Sequence, residues 1–188
     1  FRTISLAGTQ SGLDAAGNLL SPSEARWSQK EIEEQAYVSR YIIECFKKIR
    51  LREYIENGPK TVLAGNLMHL KTEYAVNTRE HAYPGLITQM LGLLHPTSAV
   101  CGTPKEAALD WILQTEKHDR SLYSGYLGPI NLASETHLFV NLRTVQISGN
   151  QACYFAGCGI TEDSDPEKEW QETQMKCQTL QRVINASL

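Results

Sequence analysis

The sequence predicts an α+β fold built mainly from antiparallel strands that pack with helices, and three observations lead to this prediction. Residues 1–8 alternate in polarity and include β-branched side chains, a pattern typical of a strand. Ser21-Pro22 is a helix-start signal, and the apolar residues of the long segment that follows recur at helical spacing. Gly149-Asn150 separates two strand-like segments and predicts a hairpin. Helices mixed with hairpin-linked strands indicate the α+β class.

The remaining elements follow from the same kinds of local signal. Gly8 and Gly12 interrupt the first strand, and Asn57-Gly58-Pro59 is expected to end the first helical region. The predicted elements are a helical region at 21–50, an extended segment at 61–74, helices at 84–94 and 104–116, strands at 121–130, 136–147 and 151–160, and a final helix from Asp165-Pro166 almost to the chain end.

Composition limits the possible functions. The chain has 188 residues, of which 41% are hydrophobic and 21% charged, which suits one globular domain with a real core. Its net charge of -3 provides no general positive field, so we expect no nucleic-acid partner. No apolar run approaches the roughly 20 residues that span a bilayer, so we expect no membrane partner.

Cysteine usage and the first residues indicate a cytoplasmic piece of a longer protein. The odd number of scattered cysteines, with no C-x-x-C pair, argues against both a disulfide framework and a zinc site, and it fits a reducing cytoplasm. The segment from Phe1 to Leu6 resembles the middle of a strand and has no initiating Met or signal peptide. We therefore expect further sequence before it.

Two Glu-x-x-Glu pairs lie near opposite ends of the chain: Glu31 with Glu34, and Glu169 with Glu172. Each pair places two carboxylates on one helix face, where like charges cost about 0.2–0.5 kcal/mol. If the pairs met at one site, a cation would have to lie between them, and a hard divalent ion such as Mg²⁺ prefers oxygen ligands. The alternative is two solvated helix faces, with Glu172 and Lys176 forming an ordinary surface ion pair.

Loops rich in glycine could bind anions. The Gly8-Thr9 turn offers backbone donors and a hydroxyl, and Gly157-Cys158-Gly159 follows a predicted strand with a helix start soon after. Glycine lets the backbone approach a ligand closely, and consecutive N–H groups form an anion-binding concavity. A tight turn without a ligand explains each of these patterns equally well.

Three single side chains are further candidates. Arg143 lies in an otherwise apolar predicted strand. Tyr123 directly precedes a Ser-Gly turn, where its hydroxyl could reach a ligand. His69 lies inside the extended segment at 61–74. Each has a structural alternative: a paired strand arginine, a packed tyrosine and a histidine satisfied by its neighbours.

Taken together, these motifs resemble the chorismate-utilising enzymes over residues 3 to about 184, and their order argues against chance. The motifs that carry the resemblance are Leu6-Ala7-Gly8-Thr9, Lys30-Glu31-x-x-Glu34, His69-Leu70, His95-Pro96-Thr97-x-Ala99-Val100-x-Gly102-x-Pro104, Asp119-Arg120-x-x-Tyr123-Ser124-Gly125, Leu142-Arg143, Ala156-Gly157-Cys158-Gly159-Ile160 and Asp165-Pro166-x-x-Glu169-Trp170-x-Glu172-Thr173-x-x-Lys176.

Within that family the chain is most similar to the isochorismate synthases, because of its His95–Val100 loop and its Ala156–Ile160 turn. The resemblance implies that residues 1–188 are the C-terminal portion of one chorismate-binding domain, of the anthranilate synthase component I type. The implied reaction converts chorismate to isochorismate: water adds at ring C2 and the C4 hydroxyl is lost, in menaquinone or siderophore synthesis. The alternatives are a salicylate synthase, an aminating anthranilate or aminodeoxychorismate synthase, and an inactive chorismate-binding protein.

The resemblance also implies roles for single residues. Glu34 and Glu172 would ligate Mg²⁺, with Glu31 and Glu169 as supporting carboxylates, and His69 would lie near the leaving hydroxyl. The remaining implied residues would hold the two carboxylates of chorismate, as arginine and lysine do well. They are Gly8, Thr9, Tyr123, Leu142, Arg143, Gly157, Cys158, Gly159 and Lys176.

Some features of the family are missing from this chain. Its general base, a lysine, and its general acid, a glutamate, are expected upstream, in the N-terminal part of the same enzyme, so this portion alone should be inactive. Gln35 stands where the family usually has histidine, and Gln10 where arginine often follows the Gly-Thr pair. Both are neutral donors, so binding is expected to persist with altered strength. We favour a monomer.

Overall fold

The computed structural model describes residues 1–78 and 83–187, except for the side chains of Thr179 and Ser187, and it confirms the α+β class with antiparallel sheets. The chain forms two compact units, Phe1–Leu94 and His95–Leu188. The elements of the first unit are β1 (Arg2–Ser11), a 3₁₀ helix (Pro22–Glu24), α1 (Gln29–Lys48), β2 (Ile55–Ala64), β3 (Leu67–Ala75) and α2 (Leu86–Leu94). Those of the second are α3 (Lys105–Thr115), β4 (Tyr126–Leu127), β5 (Phe139–Val140), β6 (Thr144–Ser148), β7 (Gln151–Phe155) and α4 (Pro166–Ser187).

The first unit is a three-stranded antiparallel sheet in the order β1-β3-β2, against which α1 packs. Helix α1 begins with a capping box in which Ser28 and Glu31 satisfy each other's backbone donors. It ends with Lys47 and Lys48, whose charges complement the negative end of the helix dipole.

The core of the first unit lies around Phe46, which is fully buried. Its ring contacts those of Tyr54 and Tyr74 at centroid distances of 5.0 and 6.0 Å. Aromatic pairs at such distances contribute about 0.5–1.5 kcal/mol beyond the area that they bury. The other buried members of this cluster are Ile42, Cys45, Leu51, Val76, Leu86 and Met90.

The second unit consists of two small two-stranded sheets, β4-β5 and β6-β7, together with α3 and α4. Strands β6 and β7 form the hairpin predicted at Gly149-Asn150, with Ser148 opposite Gln151. Helix α4 begins with the predicted proline, Pro166. In the described part of the chain, no helix is both long enough and apolar enough to cross a membrane.

Two predicted boundaries on either side of α1 are wrong. The first long helix begins at Gln29 and not near residue 21, because the Ser21-Pro22 signal starts only the short 3₁₀ helix. Asn57-Gly58-Pro59 does not separate elements but lies inside β2, where the pairing with β3 shifts between Asn57 and Lys60. A local irregularity in the sheet therefore absorbs the Gly-Pro dipeptide.

The predicted strand at 136–147 is also wrong, because it divides into β5 and β6. Asn141 interrupts it: its side chain donates to the Leu122 carbonyl at 2.8 Å and accepts from the Thr144 hydroxyl at 3.0 Å. Arg143 then takes a left-handed φ of 49°, which lies outside the extended region that regular strand residues occupy. Likewise only Tyr126–Leu127 of the strand predicted at 121–130 is paired.

Candidate active site

The Gly8 motif forms a β-bulge in β1. The pairing with β3 shifts between Ala7 and Thr9, and Gly8 has a φ of 69°, so the strand runs through the glycine that was expected to end it. A Cβ on Gly8 would lie 3.0 Å from the Cβ of Glu31. Only glycine therefore allows β1 to approach the first turns of α1 this closely.

His69 lies beside this bulge. Its Nδ1 is 3.1 Å from the Gly8 carbonyl oxygen and 3.2 Å from the Thr9 hydroxyl. A carbonyl oxygen only accepts hydrogen bonds, so Nδ1 carries the proton when it bonds to Gly8, and Nε2 of the neutral ring is then the basic nitrogen. The structure thus brings three predicted site residues together.

Gln35 is 3% exposed and joins α1 to two strands. Its Oε1 accepts from the Ala7 backbone N–H at 3.0 Å, beside the bulge. Its Nε2 donates to the hydroxyls of Ser5 at 2.7 Å and Thr72 at 3.0 Å. A buried amide with these three bonds fixes where α1 lies on the sheet.

The two glutamates of α1 have different partners. The carboxylate of Glu31 accepts from the backbone N–H of Ser28 at 2.8 Å and from its hydroxyl, so it caps the helix. The Glu34 carboxylate, with a side chain 31% exposed, lies 3.9 Å from the Lys30 ammonium. Both side chains are partly exposed.

In the second unit, Tyr123 faces the glycine loop after β7. Its ring stacks on Phe155 at 5.8 Å, and its hydroxyl lies 2.8 Å from where a Cβ on Gly157 would be. Burial raises the pKa of the Tyr123 phenol, so it remains a hydrogen-bond donor at neutral pH. A side chain at Gly157 would displace this hydroxyl.

Lys176 on α4 reaches the same loop. Its ammonium donates to the Gly157 carbonyl at 2.8 Å and pairs with the Glu172 carboxylate at 2.7 Å. Glu169, which lies one helical turn before Glu172, is buried, with 5% of its surface exposed. Burial raises the pKa of the adjacent Cys158 thiol, and the charges of Glu169 and Glu172 raise it further, so the thiol is neutral.

The other predicted substrate-binding residues are positioned by turns. Leu142 is 49% exposed, and Arg143 follows it at the bend that precedes β6. Nothing lies within 4 Å of a Cβ placed on Gly159, so space alone does not require a glycine there.

The two carboxylate pairs belong to different units, Glu31 and Glu34 to the first, and Glu169 and Glu172 to the second. Their convergence therefore stays a prediction. Neither unit, within residues 1–78 and 83–187, groups three or more His, Cys, Asp or Glu side chains as a metal site would. The donor chemistry fits Mg²⁺, because each pair offers carboxylate oxygens on one helix face.

Sequence reasoning missed the ion pair of Arg120 with Glu116. The Nε of Arg120 donates to Glu116 Oε2 at 2.7 Å, and a second donor reaches the other carboxylate oxygen. Both side chains are about one-quarter exposed, at 27% and 28%. Their spacing of four residues at the end of a predicted helix was the available signal.

With this geometry established, comparison with known proteins gives the class. The profile of the family described as "Chorismate binding enzyme" matches residues 1–185. The chain belongs to the chorismate-binding enzyme family.

Two of its relatives are named as isochorismate synthases. The chain is 31% identical to isochorismate synthase EntC of Escherichia coli K12, over 98% of this chain and 46% of that protein. It is 33% identical to the salicylate biosynthesis isochorismate synthase of Pseudomonas aeruginosa, over 70% of this chain and 27% of that protein.

Solved structures agree with these relatives. The menaquinone-specific isochorismate synthase MenF of Escherichia coli superposes with a TM-score of 0.75 at 27% identity, over 96% of this chain and 41% of that one. A putative 2,3-dihydroxybenzoate-specific isochorismate synthase, DhbC of Bacillus anthracis, gives 0.77 at 27% identity, over 98% and 49%. The chain thus spans less than half the length of EntC and of both these structures.

Proposed function

We propose that the protein containing this chain is an isochorismate synthase, which converts chorismate to isochorismate for menaquinone or siderophore synthesis. The observation that carries the proposal is 31% identity to EntC along 98% of this chain. The structure supports it in that the Tyr123 hydroxyl and the Lys176 ammonium, two predicted carboxylate-binding groups, both lie against Gly157.

The chain's part in the reaction is to bind and orient chorismate, which carries two carboxylates. Lys176 and Arg143 supply positive charge, and Tyr123 supplies a neutral donor, for those carboxylates. Backbone N–H groups of the Gly157–Gly159 loop add further donors. Holding the dianion in one orientation presents a single ring face to the attacking water.

Glu34 and Glu172 would hold Mg²⁺, with Glu31 and Glu169 as supporting carboxylates. Bound there, Mg²⁺ supplies charge neutralisation and a template for a substrate carboxylate. His69 lies near the leaving hydroxyl in this proposal, oriented by its bond to Gly8. A base and an acid outside these residues would take a proton from water and protonate the departing C4 hydroxyl, so the reaction is a net isomerisation.

The test is an assay of the full-length protein with chorismate, followed by chromatography. We expect isochorismate in the presence of Mg²⁺ and none after treatment with a chelator, with recovery when Mg²⁺ is added back. Turnover that survives the chelator would contradict the metal assignment, and no isochorismate under any condition would contradict the function. Salicylate fluorescence in the same assay would identify a salicylate synthase.

A further inference from the structure

The Arg120 side chain bonds to three separate parts of the second unit. One Nη donates to the Val100 carbonyl at 2.9 Å, and the same nitrogen lies 3.4 Å from the Ser124 hydroxyl. The opposite edge of the guanidinium binds Glu116 through two donors. Arg120 therefore joins the end of α3, the loop at 95–104 and the Tyr123-Ser124 turn.

The turn that Arg120 holds is strained and buried. Ser124 is 8% exposed and has a φ of 64°, a left-handed conformation that is unusual for serine. The Tyr123 N–H donates to the Arg120 carbonyl at 2.8 Å, which closes the turn on the arginine backbone. Such a conformation persists only where surrounding contacts over-determine it.

The same turn is bonded to the segment that carries Arg143. The Ser124 N–H donates to the Asn141 carbonyl at 2.9 Å, and the Asn141 N–H donates to the Gly125 carbonyl at 2.8 Å. Asn141 lies two residues before Arg143. A shift of the turn would therefore move two predicted substrate-binding side chains together.

Arg120 also faces the tyrosine ring directly. The guanidinium carbon is 6.0 Å from the centroid of the Tyr123 ring, which stacks on Phe155 and brings its hydroxyl to the Gly157 loop. A planar, bidentate guanidinium is suited to hold a carboxylate, a carbonyl and a ring at once, whereas a lysine is not.

We infer that Arg120, held by Glu116, is a positioning residue that sets the Tyr123 hydroxyl against the Gly157 loop. The inference rests on the proposed function for its substrate, because Tyr123 is predicted to bind a chorismate carboxylate. In this inference the effect of Arg120 on substrate binding passes through Tyr123.

Kinetics of the full-length enzyme test this with a double-mutant cycle. Arg120→Met and Tyr123→Phe should each raise the KM for chorismate by about 10-fold, the loss expected when one buried hydrogen-bonding group is misplaced. The double variant should be no worse than the poorer single variant, because both act through one hydroxyl. Effects that multiply would overturn the inference. Lys117→Met, which removes an exposed cation nearby, should leave KM unchanged.

A second measurement does not depend on turnover. The full-length protein is labelled with 3-fluorotyrosine, and Tyr123→Phe identifies the resonance of residue 123. Arg120→Met should shift or broaden that ¹⁹F signal, and Lys117→Met should not. An unchanged signal in Arg120→Met would overturn the inference, whereas failure of the wild type to convert chorismate would refute only the proposed function. If Arg120→Met does not fold, Arg120→Lys and Glu116→Gln should produce the same ¹⁹F change.

Discussion

The two units position their predicted site residues by different means. Among the described residues, every buried hydrophobic side chain belongs to the first unit, whereas the only buried residues of the second are Ser124 and Glu169, both polar. In the first unit, packing around Phe46 and the amide of Gln35 fix the helix that carries Glu34. In the second, ion pairs and turn hydrogen bonds place Tyr123. The difference teaches that predicted site residues can be held either by a packed core, here the packed platform around Phe46, or by a network of hydrogen bonds.

The largest effect should come from the packed platform. Phe46→Ala should lower the free energy of unfolding of the full-length protein by about 3–5 kcal/mol, because a fully buried ring leaves a cavity. Phe139→Ala, in the second unit at 63% exposure, should cost less than about 1 kcal/mol. Chemical denaturation measures both. Equal losses of stability in the two variants would contradict the difference between the units, since they would indicate a packed core in the second unit as well.

The carboxylate pairs test whether the two units serve one site. Glu34→Gln and Glu172→Gln should each lower turnover by about 100-fold or more, since each removes a negative charge from a preorganised electrostatic site. Glu33→Gln is the matched control on α1: Glu33 is exposed and bonded to Gln29, so little change is expected.

Magnesium titrations of the same variants should show weakened binding in both. If only one of Glu34 and Glu172 affected metal affinity, the predicted convergence of the pairs would be wrong, and the metal would belong to one unit.

Gln35 tests the polar part of the platform. Gln35→Met should destabilise the full-length protein by about 1–3 kcal/mol, because the Ala7 N–H would lose its buried partner. Gln29→Met, which breaks only an exposed bond to Glu33, should change stability by at most about 0.5 kcal/mol. Thermal unfolding of the two variants measures both changes in stability. A stable Gln35→Met protein would show that packing alone places α1.

The smallest effect concerns acid pH in the second unit. The hydrogen bond from Arg120 lowers the pKa of Glu116 below its ordinary value of 4.5. A lowered folded pKa contributes stability above the unfolded value, and this is lost as pH falls through the folded value. At neutral pH the free energy of unfolding of wild type should exceed that of Glu116→Gln by at most about 1 kcal/mol, and this difference should shrink as the pH falls below 4.5. A gap that widened in acid would contradict this.

Local signals in the sequence determined much of this protein. The hairpin turn at Gly149-Asn150 and the periodicity of the apolar residues predicted the α+β class, and Pro166 predicted the start of α4. These features could be predicted because turns and helix starts depend on a few adjacent residues. The spacing of the glutamates placed each pair on one helix face. The resemblance carried by the ordered motifs gave the family, which the match over residues 1–185 confirms.

Only the tertiary structure decided the rest. The Gly8 bulge, the Gln35 bonds and the break at Asn141 depend on partners distant in sequence, such as Glu31, Thr72 and Leu122, and no local pattern reveals them. The role of Gln35 in particular could not be foreseen, since a glutamine on a helix is usually solvated. Whether a side chain lies in water or in a buried network is settled by what packs over it, and that is a property of the folded chain.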